Sequence, residues 1–403
     1  MERAPFPAPK IKDLLQSLAG FKWASAIDLN MGYYHIELDP FAQELCTIVF
    51  PWGKYSYNRL PMGIACAPDI FQNEMATLME ELEFVRVYLD DLLVISKGSL
   101  EDHLEKLDMV LAKLTKAGLK VNLRKSFFAQ TEVEYLGYLV TREGIKPQHK
   151  KIEAILALQP PSTLKGLRSL LGMVQYYRDM WPRRSHILAP LTNACSIKNK
   201  KKFQWTPEMG KAFEQMKKLI AQETILALPD YSKPFQIYTD ASDYQLGGVI
   251  QQNGKLLAFY SRKLNKAQKN YTTEEKELLG IVETLKEFKG MFLGYRIEVF
   301  TDHLNLVHET TLKASDRVMR QKLLLEEFGI KTTHVKGEKN VVADAISRLP
   351  FQNEAAIREA STQNGAIPQE LMCSEILLQE EEEFPLSMPV SYTHLRAHET
   401  CPY

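Results

Sequence analysis

The sequence predicts an α+β protein with two strand-and-helix constellations, one in each half of the chain, joined by a helical connection. Three observations carry that reading. Residues 85–95 form one apolar run that climbs to Asp90-Asp91 and a second that leaves them, the pattern of two short strands around a tight turn with both aspartates at its tip. Residues 235–302 alternate strand-like runs with one helix, which opens on the capping-box pair Thr272 and Glu275. Residues 144–230 carry helical patterns such as Leu167, Leu170 and Leu171.

Bulk properties agree with such a protein. At 403 residues the chain can hold two or three domains, and 45% hydrophobic with 25% charged residues describes an ordinary globular composition. The five cysteines (46, 66, 195, 373 and 401) lack the paired spacing of a zinc site or disulfide framework, which points to a reducing, intracellular home. No stretch is apolar for long enough to cross a membrane, and the first residues lack the apolar core of a signal peptide. The net charge of zero conceals a division. Residues 354–384 hold eight Glu and one Arg, residues 385–403 balance, and residues 1–353 therefore carry +7. A basic body suits a polyanionic partner.

In the first half, a helix-like stretch at 11–18 precedes an apolar approach to Asp28, read as a strand end, and a turn at 30–32. A lone Asp in that position is commonly a cap. Placed beside the 90–91 turn, it would instead be a third carboxylate. Adjacent carboxylates repel unless a cation lies between or beside them, and Mg²⁺ is bound by a few carboxylates together with substrate phosphates. Ser99 and Asp102 then cap a helix whose Leu100, Leu104, Leu107, Leu111 and Leu114 are expected in the core, and Gly118 ends it. In the second half, strands are expected at 235–240, 247–250, 255–261, 297–302 and 331–335. The helix from Thr272 carries Glu277, Asp240 and Asp302 end strands, and a closing helix starts at 340–344 with Asp344.

Taken in order, the motifs are specific. They are Asp28-Leu29-Asn30-Met31-Gly32-Tyr33, Leu60-Pro61-Met62-Gly63, Tyr88-Leu89-Asp90-Asp91, Gly118-Leu119-Lys120-Val121-Asn122 and Tyr135-Leu136-Gly137-Tyr138. Thr239-Asp240-Ala241-Ser242, Lys276-Glu277-Leu278-Leu279, Thr301-Asp302-His303 and residues 343–348 follow. The chain resembles the Pol polyprotein of gypsy-type LTR retrotransposons, a reverse transcriptase followed by RNase H. The resemblance implies an α+β palm (antiparallel sheet with helices) at 1–143 with truncated fingers and a thumb/connection at 144–230. It further implies an α/β RNase H-like domain with a mixed sheet at 231–350, and a flexible acidic linker from 351. Residues 391–400 resemble a translated cloning-adaptor tail and are set apart from the fold.

The resemblance also assigns chemistry. Asp28, Asp90 and Asp91 are implied metal-binding catalytic residues of RNA-directed DNA synthesis. Asp240, Glu277, Asp302 and Asp344 are the corresponding set for cleavage of RNA in an RNA–DNA hybrid. Each site is expected to bind two Mg²⁺, with Mn²⁺ as the alternative ion. Tyr33 would exclude a ribose 2′ hydroxyl, and Leu60, Pro61, Met62 and Gly63 would line the nucleotide. Lys125 is either a proton donor to pyrophosphate or a solvated lysine, while His303 and His334 either position substrate or are structural. The implied partners are an RNA template, a DNA primer, the RNA–DNA hybrid and deoxynucleoside triphosphates, with no membrane and an open oligomeric state. The expected location is cytoplasmic, in the particle of the element, with access to the nucleus. Two rival readings stand beside this one: a non-catalytic nucleic-acid-binding remnant, and an enzyme with RNase H activity alone.

Overall fold

The computed structural model describes residues 6, 8–195, 203–222, 224–301 and 316–334, all within one compact unit. The first half begins with α1 (Ile11–Gln16) and β1 (Trp23–Asp28), followed by a 3₁₀ turn at Gly32–His35. Next come α2 (Pro40–Leu45), the hairpin β2 (Thr47–Phe50) and β3 (Gly53–Ser56), and α3 (Ala67–Met79). The strands β4 (Val85–Tyr88) and β5 (Asp91–Ser96), helix α4 (Leu100–Lys116) and β6 (Phe127–Gln130) complete an antiparallel sheet of order β4-β5-β1-β6. A three-stranded sheet follows from β7 (Val133–Tyr135), β8 (Tyr138–Val140) and β9 (Ile145–Pro147).

Strand β5 explains its own sequence. Its run 92–95 is apolar throughout because both faces are buried. Leu92 and Val94 join a core with Phe71, Met75, Leu107 and Val110 from α3 and α4. Leu93 and Ile95 join a second core with Leu15, Phe21, Val133 and Val140. The period of two sends alternate side chains to opposite faces.

The register of α4 differs from the one expected. Leu107 and Leu114 are buried, but Leu100 and Leu104 are exposed, and the buried stripe is His103, Leu107, Val110 and Leu114. The helix is rotated because His103 has a place inside. Its Nε2 and Nδ1 lie 2.7 and 3.0 Å from the hydroxyls of Ser25 on β1 and Ser96 on β5, so the buried ring is satisfied on both sides. Ser99 caps the helix by accepting from the Asp102 N–H, and Gly118 takes the left-handed conformation (φ 73°) just past its end.

The connecting region is helical: α5 (His149–Leu156), α6 (Leu164–Tyr176), a 3₁₀ turn at Arg178–Met180, α7 (Arg184–Ile187), α8 (Ala189–Ala194) and α9 (Pro207–Ala221). The lysine run at 198–202 lies outside the described residues. The helices share a core with Val249, Leu256 and Phe259 of the second half.

The second half holds a mixed sheet of order β12-β11-β10-β13-β14. Its strands are β10 (Phe235–Ala241), β11 (Gln245–Gln252), β12 (Lys255–Lys263), β13 (Ile297–Thr301) and β14 (Lys331–His334). β10 pairs antiparallel with β11 and parallel with β13. Helix α10 (Thr273–Glu287) lies against β10 and β11, followed by α11 (Lys289–Phe292) and α12 (Asp316–Glu327). The capping box at Thr272 and Glu275 is present with both reciprocal bonds. The closing helix expected at 340–344 lies outside the described residues.

Candidate active site

At the end of the first sheet, β1 and β5 run antiparallel with Asp28 opposite Asp91. The residue pairs Ala26–Leu93 and Ala24–Ile95 continue the same ladder, so both aspartates stand on the face away from α3 and α4. The hairpin tip is one residue earlier than expected. Tyr88 pairs with Asp91, which leaves Leu89 and Asp90 as the two turn residues and makes Asp91 the first residue of β5. Leu89 takes φ 50°, the left-handed backbone that two-residue hairpin turns require.

Backbone hydrogen bonds fix this edge. The Leu29 N–H donates to the Asp90 carbonyl at 3.2 Å, and the Asn122 N–H donates to the Asp28 carbonyl at 2.8 Å. The Asp28 N–H in turn donates to Ser126 Oγ at 3.1 Å. The segment carrying Asn122 and Ser126 also delivers Lys125, whose Nζ lies 3.6 Å from Asp28 Oδ2. Lys125 is thus beside Asp28 and also largely exposed to solvent, an arrangement that both readings of it share.

The electrostatics are those of crowded anions. Burial, then Asp91 and Asp28, push the Asp90 carboxyl above the usual aspartate range. Burial and Asp28 do the same to Asp91, with Lys125 opposing. Asp90 Oδ1 is buried and takes no hydrogen bond among the described residues. A Cβ on Gly32 would stand 3.1 Å from that oxygen and 2.6 Å from Phe71 Cζ, so the chain approaches Asp90 where only glycine fits. Among the described residues no three Asp, Glu, His or Cys side chains already converge as a metal cluster. The donor set still fits a hard divalent cation: oxygen ligands, excess negative charge and a buried carboxylate oxygen awaiting a partner.

Tyr33 packs on Phe71, ring centroids 5.0 Å apart, and its hydroxyl is pushed up by burial and by Asp90. Within the 60–63 loop, Leu60 and Pro61 are buried whereas Met62 and Gly63 are exposed, Gly63 at φ 94°. The first two anchor the loop, and the latter two form its exposed surface.

The second centre has two described members. Asp240 near the end of β10 and Glu277 on α10 are 3% and 2% exposed. Glu277 Oε1 accepts from the Ala241 N–H at 2.9 Å, which ties the helix to the strand one residue past Asp240. Asp302, His303 and Asp344 lie outside the described residues. His334 is the last residue of β14, and β14 pairs with β13 at Thr301, next to Asp302 in sequence.

Sequence reasoning passed over Ser126, which braces Asp28, and gave no role to Asn122 of the 118–122 motif or to Gln72. The available signal was Gln72 itself, a polar side chain beside the apolar stripe Ala67, Phe71, Met75 and Met79.

Known proteins resemble this chain in sequence and in fold. A family profile described as reverse transcriptase (RNA-dependent DNA polymerase) matches residues 2–140, and one for an RNase H-like domain found in reverse transcriptase matches 205–299. The Pol polyprotein of transposon 297 from Drosophila melanogaster is 37% identical over 350 residues, covering 86% of this chain and 33% of the relative. That of transposon gypsy from the same organism is 32% identical over 366 residues, covering 87% and 35%. The chain thus spans about a third of the length of these curated relatives. A foamy viral protease-reverse transcriptase in complex with an RNA/DNA hybrid superposes with a TM-score of 0.74 at 23% identity, over 94% of this chain and 49% of that one. Another, in complex with double-stranded DNA, gives 0.75 at 25% identity over 82% and 60%.

Fold and motifs together define a reverse transcriptase carrying an RNase H-like domain. Within that class the chain belongs to the Pol polyproteins of gypsy-type retrotransposons.

Proposed function

We propose that the chain performs RNA-directed DNA synthesis at Asp28, Asp90 and Asp91. The observation that carries the reading is the cross-strand pair Asp28–Asp91 with Asp90 in the adjoining turn, held by backbone bonds although burial and mutual repulsion oppose it. A protein retains such strain where a ligand relieves it. Bound Mg²⁺, or Mn²⁺ in its place, would neutralise these carboxylates, activate the primer 3′ hydroxyl and stabilise the displacement at the α-phosphate. The chain's own residues do the rest. Lys125 holds a proton within reach of the leaving pyrophosphate, Tyr33 closes the space beside the sugar, and Met62 and Gly63 face the nucleotide. The substrates of this reading are an RNA template, a DNA primer and deoxynucleoside triphosphates.

The second centre is proposed to hydrolyse the RNA strand of an RNA–DNA hybrid, with Asp240 and Glu277 joined by Asp302 and Asp344 as ion ligands. The bond from the Ala241 N–H fixes one Glu277 oxygen and so orients the other. Both readings are tested with the purified chain and Mg²⁺ on a labelled primer annealed to RNA. Extension lost in Asp91→Asn, and hybrid cleavage lost in Asp240→Asn while extension persists, are the expected results. Cleavage without extension would leave the RNase H reading alone. Neither activity from a folded protein would leave the nucleic-acid-binding remnant.

A further inference from the structure

We propose that Gln72 is a positioning residue that holds the Tyr88–Asp91 turn in the conformation that binds metal ions. Gln72 sits on α3 and is 2% exposed. Its Oε1 accepts from the Leu89 N–H at 2.7 Å, and its Nε2 donates to the Val87 carbonyl at 3.4 Å. One side chain thereby grips the main chain on both sides of Tyr88, immediately before Asp90. The grip falls where the backbone needs it, because Leu89 occupies the left-handed region that L side chains disfavour.

From the opposite side, the Leu29 N–H holds the Asp90 carbonyl, so the turn is pinned between α3 and the end of β1. The neighbour Phe71 packs on Tyr33 at a tilt and lies against Gly32, which seats this part of α3 on the same edge. A primary amide is the side chain that both accepts and donates here. Glutamate keeps the acceptor, loses the donor and adds a charge near Asp90, whereas methionine has neither group at similar length. The consequence for catalysis rests on the polymerisation reading above. The consequence for ion binding does not.

The test uses the full chain in an Asp240→Asn background, so that Mn²⁺ paramagnetic resonance reports the first centre. For Gln72→Met we expect Mn²⁺ affinity about tenfold weaker and amide hydrogen exchange at Leu89 at least tenfold faster. Primer extension should lose kcat with little change in the KM for nucleotide. Gln72→Glu should exchange at an intermediate rate because its acceptor remains, and it serves as the second variant if methionine impairs folding. Adding Leu89→Gly to Gln72→Met should recover part of the Mn²⁺ affinity, since glycine adopts φ 50° without strain. A purely structural glutamine would lower thermal stability and leave Mn²⁺ affinity and that rescue unmoved. Mn²⁺ binding that is independent of Gln72, or absent from the parent chain, overturns the proposal. Gln72-dependent Mn²⁺ binding without any primer extension would overturn the polymerisation reading and leave this one standing.

Discussion

Asp91 is paired with Tyr88 on one side and Asp28 on the other, and its carboxyl is raised by burial and by the Asp28 charge. A carboxyl whose folded pKa is raised contributes stability at low pH and loses it as pH climbs through the folded value. In metal-free buffer, Asp91→Asn should therefore melt higher than the parent at neutral pH, by about 1–2 °C for each kcal/mol relieved in a chain of this size. The advantage should shrink as pH falls toward the ordinary aspartate value of 3.8, and in an Asp240→Asn background, which removes the second centre's contribution, added Mg²⁺ should raise the melting temperature more with Asp91 in place than in Asp91→Asn. Melting curves across pH, with and without Mg²⁺, check this, and equal curves for both proteins would refute the strained-site account. At this scale the sequence was informative. It named Asp28, Asp90 and Asp91, and the structure puts them on one edge. It missed that Asp91 belongs to the strand, because the turn length depends on a left-handed Leu89, and leucine carries no turn signal.

Helix α4 marks where legibility ends for elements. Its cap, its extent and its terminating glycine could be read locally, as could the capping box of α10 and the strand pattern of β5. Its rotation could not. Apolarity favours a leucine over a histidine for a buried position, and the serines that reverse the choice come from other strands, Ser25 lying 78 residues away. Burial pushes the fully buried His103 imidazole below its usual 6.5, against Asp102 and with Lys106. A base with a depressed folded pKa contributes stability above the unfolded value, and that contribution is lost as pH falls below about 6.5. His103→Leu removes this titration and takes a partner from the hydroxyls of Ser25 and Ser96, costing about 1–3 kcal/mol at pH 8. The gap between parent and variant in chemical denaturation should then narrow from pH 7 to pH 5. A constant gap would mean that His103 does not titrate against folding.

Across the molecule, a cluster of four charges ties the N-terminal α1 to the C-terminal half. Lys12 Nζ lies 3.1 Å from Asp179, 3.8 Å from Glu287 and 3.3 Å from the centroid of the Phe288 ring. Arg178 pairs with both carboxylates. Burial lowers the Lys12 pKa while Asp179 and Glu287 oppose the shift, so the cluster balances desolvation against attraction. Asp179→Asn should cost about 1–2 kcal/mol, below the figure for a fully buried pair because these groups are partly exposed. Lys12→Met in the same chain should recover much of it. A double-mutant cycle by thermal melting measures the coupling, and strictly additive losses would dissolve the cluster as a unit. None of this was visible in the sequence, where the four residues are scattered over 276 positions with ordinary surface-like neighbours. A different long-range feature bears on how such a chain can change over time. β5 is the wall shared by two cores, and its first residue carries one of the paired carboxylates. Inserting or deleting a single residue within 92–95 would exchange the contents of both cores and turn Asp91 to the opposite face from Asp28. Substitutions can accumulate in this strand, but its length cannot drift, and any lineage that changes it should lose the site in one step.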